Sequence, residues 1–598
     1  MTSFRDLNKN GRLDPYEDSS QPIKVRVEDL LSQMTLEEKA GQMFQTFTGV
    51  QADDETLEKA SGFSPFGPAH MVRDLKMTHL NLARIPAPRL MAQWHNWLQR
   101  LAENERLGIP MTLSTDPRHA FTTNAAVGST TSGFSQWPEP IGLAATRDAA
   151  LVQQFGDIAR QEYLAVGIRA ALHPMADLAT EPRWARINGT FGEDAALAAE
   201  LTFAYIRGFQ GETLGPHSVA CMTKHFPGGG PQKDGMDPHF EDGKEQVYPG
   251  NNFDYHLVPF EAAFQAGTAM IMPYYGQPIG LKYEPVGFGF NKDVITGLLR
   301  QRYGFDGVVC TDWGLLTDVN VPGNPVWPAR AWGVEHLSRA DRMLKALDAG
   351  IDQFGGEICV DELIGLVRSG RVSEARIDES VRRLLRDKFR LGLFDNPYVD
   401  VDIAEQIAGR LDFRAAGALA QRKSIVLLKN SRQGDAMRLP LSAELKLYVE
   451  GVDKATAGTY GQVVDDIAQA DCALLRISTP FVKQKGFLRD MIHQGDLDFK
   501  GEEKVRLLGI LARVPTVVCI NLDRPAVIPE IAEHSAALLA EFGASDAAVL
   551  DVVYGRFKPT GKLPFELPSS MEAVRQQLPD VPYDSANPLY AFGYGLTF

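Results

Sequence analysis

A carboxylate at the end of a short apolar run is the side chain of this sequence best placed to do chemistry. Residues 304–314 read GFDGVVCTDWG, in which Val308–Cys310 precede Asp312 and Trp313. The glycine-bounded run, rich in β-branched residues, predicts a buried strand. Because α/β folds place reactive groups just past the carboxyl ends of such strands, Asp312 could act as a nucleophile. In the alternative interpretation, Asp312 caps the next helix and Trp313 packs in the core.

Polar side chains also occur in four other loops that follow predicted strands. They are Asp116 in LSTDPRH (113–119), two arginines and a tryptophan in EPRWAR (181–186), Lys224 and His225 in TKHFPGGG (223–230), and two tyrosines in MPYYG (272–276). If these strands form one barrel, all five loops open on the same face. Acids and bases in pairs suit sugar hydroxyls, and Asp312 would then attack an anomeric carbon. The glycine triplet could cradle phosphate, but it does not form the motif GxxxxGK[ST].

The elements that must position these residues alternate from Ile23 to about residue 395. Strands are predicted at Pro110–Ser114, Ile168–His173, Val219–Thr223, Ala269–Pro273, Val308–Thr311 and Ile351–Phe354. Helices are predicted at Pro88–Leu107, Ala149–Val166, Asp194–Phe209, Tyr255–Ala266, Lys292–Tyr303, Arg339–Ala349, Glu362–Arg368 and Ser373–Leu391. About eight strand–helix units in roughly 400 residues predict an α/β fold of the (β/α)8 TIM-barrel type with long loops.

A second α/β series begins near Arg414. Its predicted strands are Ile425–Leu428, Lys446–Val449, Ala473–Ile477, Thr516–Asn521 and Ala536–Ala540, which suit an open doubly wound sheet. The predicted organisation is therefore an N-terminal segment (1–22), a barrel (23–395), a linker (396–413) and a second domain (414–598).

Composition excludes several classes of partner and location. The 598 residues carry a net charge of −15, so nucleic acid and anionic membranes are poor partners. No apolar run reaches the roughly 18 residues of a transmembrane helix, and the five cysteines, without a CxxC pair, predict neither disulfides nor zinc. The opening MTSFRDLNKN has no hydrophobic signal region, which predicts a cytoplasmic protein, or a periplasmic or secreted one if a signal peptide was removed. The oligomeric state is left open, a homodimer being one option.

One stretch near the N-terminus fits a calcium loop. Residues 6–17 read DLNKNGRLDPYE, with glycine at position six of the twelve. The ligands would be side-chain oxygens of Asp6, Asn8, Asn10, Asp14 and Glu17 and the carbonyl of Arg12. We expect a structural Ca²⁺ that pins the N-terminal segment; a polar turn without metal is the alternative.

The sequence resembles glycoside hydrolase family 3, in its two-domain β-glucosidase-like form. The matching stretches run in family order: EPRWARINGTFGED (181–194), KHFPGGG (224–230), MIMPYYG (270–276), GFDGVVCTDWG (304–314), AGIDQFGG (349–356), KSIVLLKN (423–430), GKLPFELP (561–568) and AFGYGLTF (591–598). The resemblance implies a (β/α)8-like barrel followed by an αβα sandwich, and a retaining double-displacement mechanism.

The resemblance also implies roles for individual residues. Asp312 would be the nucleophile, and Trp313 would wall the pocket. Sugar hydroxyls would be bound by Asp116, Arg186, Lys224 and His225, with Tyr274 beside the nucleophile. One departure from the family pattern is Ala185, which replaces the usual glycine of PRWGR.

The general acid is not identified in this way, although a retaining enzyme needs one about 5–5.5 Å from the nucleophile. In two-domain relatives it is a glutamate on a loop of the second domain, but the corresponding stretch 478–499 contains none. We rank Asp490, in that stretch, slightly ahead of two alternatives. His239, with Asp237, resembles the Asp–His dyad of the family's N-acetylglucosaminidases, and Glu357 follows a predicted strand.

The expected function is that of an exo-acting retaining β-glucosidase that works through a covalent glycosyl-Asp312 intermediate, without a catalytic cofactor. Its partner would be a β-glucoside or oligosaccharide substrate. The alternatives are a β-N-acetylglucosaminidase or β-glycoside phosphorylase with a His239 acid/base, a β-xylosidase, and a non-catalytic carbohydrate-binding relative.

Overall fold

A curled sheet of parallel strands forms the first domain. The computed structural model describes residues 4–51, 53–60, 64–121, 131, 133–320, 326–433, 436–486, 489 and 492–598. The strands of the first domain are β1 (Phe44–Gly49), β2 (His79–Arg84), β3 (Thr112–Thr115), β4 (Ile168–Ala171), β5 (Ala220–Phe226), β6 (Glu245–Val247), β7 (Met270–Pro273), β8 (Gln277–Ile279), β9 (Val308–Val309) and β10 (Phe354–Gly355). Eight of them form one all-parallel sheet in the order β10-β1-β2-β3-β4-β5-β7-β9. A parallel bridge between Cys310 and Gln353 joins the two edges, and the predicted TIM-like domain is confirmed.

Helices pack around this sheet. They are α1 (Ile23–Gln33), α2 (Leu36–Gln42), α3 (Pro68–Arg73), α4 (Pro88–Asn104), α5 (Pro140–Thr146), α6 (Ala149–Ala165), α7 (Ala195–Gln210), α8 (Phe253–Ala266), α9 (Arg339–Ala349), α10 (Val360–Arg368) and α11 (Glu374–Arg390). The helix predicted over Lys292–Tyr303 is π-helical at Asp293–Arg302. No helix in these described ranges is long and apolar enough to cross a membrane.

Burial on both faces of the sheet explains the composition of its strands. Every residue of β5 is buried, because helices cover the outside of the sheet and neighbouring strands fill its interior. The strand is apolar at Ala220–Met222 and polar only at its carboxyl end, where Lys224 and His225 lie. The fold therefore collects polar groups at one end of the sheet, as the strand endings predict.

The second domain is a mixed six-stranded sheet with helices. Its elements are α12 (Val401–Ile407), α13 (Leu411–Ser424), β11 (Val426–Asn430), β12 (Arg432–Gln433), β13 (Ala436–Met437), β14 (Lys446–Glu450), α14 (Lys454–Gly458), β15 (Gln462–Val464), β16 (Cys472–Ser478), α15 (Gly501–Leu511), β17 (Thr516–Asn521), α16 (Pro529–His534), β18 (Ala537–Glu541), α17 (Asp546–Val553) and α18 (Met571–Gln576). The strand order is β11-β18-β17-β16-β14-β15, with only β11 antiparallel to its neighbour. Residues 396–413, predicted as a linker, contain α12 and the start of α13.

Buried carboxylates connect the two domains. Glu193 of the first domain accepts hydrogen bonds from the backbone N–H groups of Glu566, at 2.7 Å, and Tyr583, at 2.9 Å. Asp580 of the second domain accepts from the backbone N–H of Gly250 at 2.9 Å. If the domains shifted, these buried acidic side chains would lose their hydrogen-bond donors while remaining out of water, which is costly in free energy. The contacts therefore fix the position of the second domain relative to the first.

Glu162 on α6 of the first domain binds the segment between the two domains (residues 396–413) through Gly409. Its loss is expected to destabilise the fold. Its carboxylate accepts from His119, at 2.8 Å, and from the backbone N–H groups of Ser135, at 2.8 Å, and Gly409, at 2.6 Å. Burial alone would raise the pKa of Glu162, but these donors outweigh burial and hold the pKa below the ordinary 4.5. We expect Glu162→Ala to lower the free energy of unfolding by about 3–5 kcal/mol, measured by urea unfolding, with the exposed Gln154→Ala as the control.

The pH dependence of this effect has a definite sign. Because the folded-state pKa of Glu162 is depressed, its stabilisation is present above the ordinary value of 4.5 and is lost as the pH falls through the folded-state pKa. The gap between wild type and Glu162→Gln should therefore shrink below about pH 4.5. A gap that stays constant from pH 7 to pH 4 would show that the charge of Glu162 contributes nothing.

Candidate active site

Asp312 lies just past β9, at the carboxyl end of the sheet, with 6% of its surface exposed. Its Oδ1 accepts a hydrogen bond from the Trp313 backbone N–H at 2.8 Å. Its Oδ2 has no hydrogen-bond partner in the described part of the chain and lies 3.8 Å from Nε2 of His225. A buried carboxylate oxygen that no protein donor engages is available to a reacting atom.

A buried carboxylate that the sequence analysis did not identify orients His225. Oδ2 of Asp177 lies 2.8 Å from Nδ1 of His225, and the Asp177 carboxylate also accepts the backbone N–H groups of His225 and Gly229. Since Nδ1 donates to this carboxylate, Nε2 is left to face Asp312 as an acceptor. Burial lowers the pKa of His225 well below 6.5, so the imidazole is neutral. The one sequence signal for Asp177 was an aspartate in the loop after the predicted strand Ile168–His173.

Asp116, just past β3, and Lys224, near the end of β5, form a charged pair across the end of the intervening strand β4. Nζ of Lys224 lies 3.1 Å from Oδ1 of Asp116, and Nδ2 of Asn81 lies 3.4 Å from Oδ2. Burial would raise the pKa of Asp116, but the charges of Lys224 and Arg118 outweigh burial and keep it below its usual value. An ionised carboxylate beside an ammonium group can accept from one hydroxyl and donate to the next, which suits adjacent hydroxyls of a sugar.

Arg186 and Tyr274 present polar atoms that the described protein does not satisfy. Nε and Nη1 of Arg186 and the hydroxyl of Tyr274 are buried without a hydrogen-bond partner among the described residues. The guanidinium carbon lies 5.8 Å from the centre of the Tyr274 ring, whose centroid is 4.5 Å from that of His225. Because native proteins rarely leave buried donors unpaired, these atoms mark a place for a polar ligand.

Trp313 is held as a half-exposed wall next to Asp312. Its carbonyl accepts hydrogen bonds from the hydroxyl of Tyr275, at 2.8 Å, and from Nη2 of Arg330, at 2.7 Å. Its ring rests on Gly355, where an added Cβ would lie 2.6 Å from the indole, and Phe47 packs nearby at a centroid distance of 5.8 Å. These contacts place the indole face where the sequence predicts the wall of a sugar pocket.

Two of the three candidates for the acid/base can be located. The Glu357 carboxylate is 1% exposed and accepts the backbone N–H groups of Leu316, at 2.7 Å, and Thr317, at 3.1 Å. That engagement indicates a structural role in the loop after the nucleophile. Asp490 lies outside the described residues.

His239 is the candidate that the structure places beside the site. Nδ1 of His239 lies 2.5 Å from Oδ1 of Asp237, which is buried, while 21% of the His239 side chain is exposed. Its ring packs against Tyr275 at a centroid distance of 4.8 Å, and that tyrosine reaches the peptide next to Asp312. Burial would raise the pKa of Asp237, but His239 and Arg186 outweigh it and hold the pKa below its usual value. The result is an imidazole backed by an ionised carboxylate.

A loop of the second domain reaches the same region. Nη1 and Nη2 of Arg489 lie 2.8 and 2.9 Å from the two carboxylate oxygens of Asp242, and the guanidinium lies 4.2 Å from the ring centre of Phe240. Ile492 packs in a cluster with Ala185 and Phe240. The site is therefore bordered by both domains.

The predicted calcium loop lies elsewhere, against the end of α4, where Lys9 donates to the carbonyl of Glu103. Asp6 accepts the backbone N–H groups of Asn10 and Gly11, and the side-chain amides of Asn8 and Asn10 both contact Oδ2 of Asp14, at 2.5 and 2.7 Å. No group of three or more His, Cys, Asp or Glu suited to a metal occurs in the described ranges. Asparagine oxygens and the Arg12 carbonyl would therefore have to complete any calcium shell.

The structure brings together all the predicted substrate-binding residues around Asp312: Asp116, Arg186, Lys224, His225, Tyr274 and Trp313. A buried, unengaged carboxylate surrounded by polar groups that can bind hydroxyls, at the carboxyl end of a curled parallel sheet, is the arrangement of an enzyme acting on carbohydrate. The chain belongs to glycosyl hydrolase family 3. The family's N-terminal domain model matches residues 35–386, and its C-terminal domain model matches residues 459–598.

Three similar proteins illustrate the relationship. The chain is 51% identical to "Beta-glucosidase C" of Emericella nidulans, over 99% of this chain and 95% of that protein. It is 42% identical to "Periplasmic beta-glucosidase/beta-xylosidase" of Dickeya chrysanthemi, over 99% and 93% of the two chains. The solved structure of a β-glucosidase from Erythrobacter marinus superposes with a TM-score of 0.79 at 22% identity, covering 98% of this chain and 84% of that one, and shows the shared fold.

Proposed function

We propose that this glycoside hydrolase is an exo-acting retaining β-glucosidase that releases glucose through a covalent glycosyl-Asp312 intermediate. The observation that carries the proposal is the unengaged Oδ2 of Asp312, 3.8 Å from Nε2 of His225. Oδ2 would bond to the anomeric carbon as the bond to the leaving oxygen breaks, and the acid would protonate that oxygen. Water deprotonated by the same acid/base would then release glucose. The names of the relatives at 51% and 42% identity support a glucoside substrate.

A β-xylosidase activity is the second candidate, because the relative from Dickeya chrysanthemi is named for both sugars. The choice depends on whether the Asp116–Lys224 pair binds the hydroxymethyl group of glucose, which xylose lacks. A site built to pair with a hydroxyl discriminates strongly against a substrate without it. If the pair instead binds ring hydroxyls common to both sugars, the two substrates will react similarly.

Substrate kinetics and product stereochemistry test the proposal. We expect kcat/KM for nitrophenyl β-glucoside to exceed the values for the β-xyloside and the β-N-acetylglucosaminide, without dependence on phosphate. Proton NMR should show β-glucose as the first product. Binding of glucose without any turnover, or turnover that requires phosphate, would contradict the proposal.

We propose His239 as the acid/base of this reaction. Its imidazole is partly exposed and close to Tyr275, whereas the Glu357 carboxylate is buried and engaged by backbone donors. Asp237 would stabilise the imidazolium that forms when His239 takes up a proton, as a buried carboxylate partner does for catalytic histidines.

Asp177→Asn is expected to lower kcat/KM by roughly 10- to 100-fold, the equivalent of about 1.5–3 kcal/mol for a hydrogen bond to a charged group. The carboxylate accepts from Nδ1 of His225 with Oδ2 and from the Gly229 N–H with Oδ1, whereas an amide has one accepting oxygen and one NH2 group. One of the two donors therefore faces the NH2 group, and Nε2 loses its fixed orientation. Burial raises the pKa of Asp177 to about 6, so the wild-type carboxylate is ionised above this pH and protonates below it. The wild-type profile of kcat/KM should therefore fall as the pH drops through about 6, and the variant should lack that step.

A surface substitution provides the control for this prediction. Asp348 is exposed and forms an ion pair with Nζ of Lys292 at 2.9 Å. Asp348→Asn should leave both kcat/KM and its pH profile unchanged. An Asp177→Asn enzyme with wild-type kcat/KM at every pH would show that Asp177 does not orient His225.

We further propose that the loop of Asp6, Asn8, Asn10, Arg12, Asp14 and Glu17 binds a structural Ca²⁺. The side-chain amides of Asn8 and Asn10 both donate from Nδ2 to Oδ2 of Asp14, so two amide groups and a carboxylate meet at one point. Rotation of each amide would turn its oxygen towards that point, and amide oxygens and carboxylates are ligands that Ca²⁺ prefers. Calcium at 100 times its Kd should stabilise the fold by about 2.7 kcal/mol. Thermal unfolding in calcium and in EDTA measures this, with Glu17→Gln as the variant that should lose the difference. Equal melting temperatures for the wild type in both buffers would contradict calcium binding.

The compartment stays a prediction. The sequence as written predicts a cytoplasmic enzyme, whereas the name of the Dickeya relative supports export to the periplasm. Fractionation of cells that express the gene would distinguish the two.

A further inference from the structure

We propose that Trp327 and Trp332 are positioning residues for the acid/base His239. The segment that they bound, residues 327–332 (the indole strap), connects the loop of His239 to the nucleophile. The inference rests on the proposed role of His239. The strap belongs to the loop that follows Asp312, and nothing in the sequence analysis assigned it a role.

Two indole groups of the strap hold consecutive carbonyls of the His239 loop. Nε1 of Trp332 donates to the carbonyl of Pro238 at 2.8 Å, and Nε1 of Trp327 donates to the carbonyl of His239 at 3.0 Å. The Trp332 side chain is almost completely buried. Two adjacent carbonyls restrained by two rigid donors leave the peptide between them little freedom.

The imidazole is restrained from its other side as well. Nδ1 of His239 contacts Oδ1 of Asp237, and the His239 backbone N–H donates to the same oxygen at 3.0 Å. The Trp327 ring lies nearly parallel to the imidazole, at 22° and a centroid distance of 6.3 Å. With the backbone held by the indoles and Nδ1 held by Asp237, Nε2 is the nitrogen left to exchange a proton with substrate.

The middle of the strap is anchored next to the nucleophile. Nη2 and Nε of Arg330 donate to the carbonyl of Trp313 at 2.7 and 3.1 Å, and the guanidinium lies 4.0 Å from the ring centre of Trp327. Arg330 is 2% exposed. Gly314 has a φ of +68° and leaves room for the guanidinium that a Cβ would take.

These contacts join both catalytic groups to one short piece of chain. A retaining glycosidase requires its two groups about 5–5.5 Å apart, and a displacement of about 1 Å can cost 100-fold in rate. The strap contacts the carbonyl of Trp313, the residue after Asp312, and the carbonyls of Pro238 and His239. It is therefore placed to set the separation between nucleophile and acid/base.

Phenylalanine variants test this, because they keep an aromatic ring but remove the N–H donor together with part of the indole. We expect Trp327→Phe and Trp332→Phe each to lower kcat for phenyl β-glucoside by roughly three- to tenfold, the worth of one net hydrogen bond. For 2,4-dinitrophenyl β-glucoside, whose leaving group needs no proton, kcat for the glycosylation step should change less than about twofold. Trp97→Phe, on α4 outside the site, is the matched control and should affect neither substrate.

The leaving-group dependence separates positioning from general damage and from failure of the acid assignment. Equal losses on both substrates, or none on either, in the two strap variants would overturn the proposal. If His239→Ala shows the leaving-group dependence but the strap variants do not, His239 remains the acid and the strap has no positioning role. If His239→Ala shows no such dependence, the acid assignment and the strap proposal both fall, while the assignment of Asp312 stands.

Discussion

Asp312→Asn is expected to lower kcat on nitrophenyl β-glucoside by about 10⁴-fold or more, the scale on which removal of a covalent nucleophile acts. The amide is close in shape to the carboxylate and keeps an oxygen that can accept from the Trp313 N–H. It cannot form the glycosyl ester, so the double displacement has no first step. Because Oδ2 has no protein hydrogen bond within the described chain, the loss should come from chemistry and leave the melting temperature close to that of the wild type.

Chemical rescue makes this prediction specific. In Asp312→Ala, azide can occupy the space of the missing carboxylate and attack the anomeric carbon directly. A single displacement inverts the configuration, so the product should be α-glucosyl azide, identified by NMR. The exposed Asp348→Asn serves as the control for loss of a carboxylate. β-Glucosyl azide, or an Asp312→Asn enzyme within tenfold of wild-type kcat, would mean that another group is the nucleophile.

His239→Ala is expected to give the second largest effect, a loss of about 10²- to 10⁴-fold in kcat for phenyl β-glucoside, the usual contribution of general acid catalysis. For 2,4-dinitrophenyl β-glucoside the first step should persist, because its leaving group departs without protonation. The glycosyl-enzyme then accumulates, since no base activates water. A pre-steady-state burst of dinitrophenol measures that accumulation.

Azide again distinguishes the role. It needs no base, so it should accelerate turnover of His239→Ala and give β-glucosyl azide, the product of two displacements. Glu357→Gln is the comparison variant; its buried side chain contacts the backbone of Leu316 and Thr317, so it should change stability more than leaving-group dependence. If His239→Ala hydrolyses phenyl β-glucoside at the wild-type rate, the acid lies elsewhere, and Asp490 is the next candidate.

The two catalytic assignments differ in how they arise from the chain. Asp312 is placed by one strand and its own neighbours, so a local pattern was enough to select it. His239 lies in a loop between β5 and β6 and contacts Asp237, Tyr275 and Trp327. Arg489 of the second domain contacts Phe240 in the same loop. A local sequence pattern was therefore not enough to select His239, because its environment is built from residues distant in the chain.

Pattern reasoning located most strands of the barrel but missed β1 and β2. These read FQTFTG and HLNLAR, in which polar residues interrupt the apolar run that marks a buried strand. In the fold, the polar side chains of β1 and β2 point into the barrel and hydrogen-bond to Ser114 of β3. Asn81 accepts from the Ser114 hydroxyl at 2.9 Å, and Gln45 also contacts Ser114. Because these partners come from different strands, their satisfaction cannot be inferred from either segment alone.

The sequence by itself determined the α/β class, the two-domain order and the placement of polar groups at the ends of parallel strands. Those properties follow from hydrophobic periodicity, which is a pattern among residues close together in the sequence and can be seen without the fold. Tertiary structure alone decided that Asp177 holds His225, that backbone N–H groups occupy Glu357, and that two indoles clamp the His239 loop. In each of these hydrogen bonds the donor and the acceptor lie 41 to 94 positions apart in the chain. Many other polar groups lie at such separations, and only the packed fold brings these particular partners within hydrogen-bond distance.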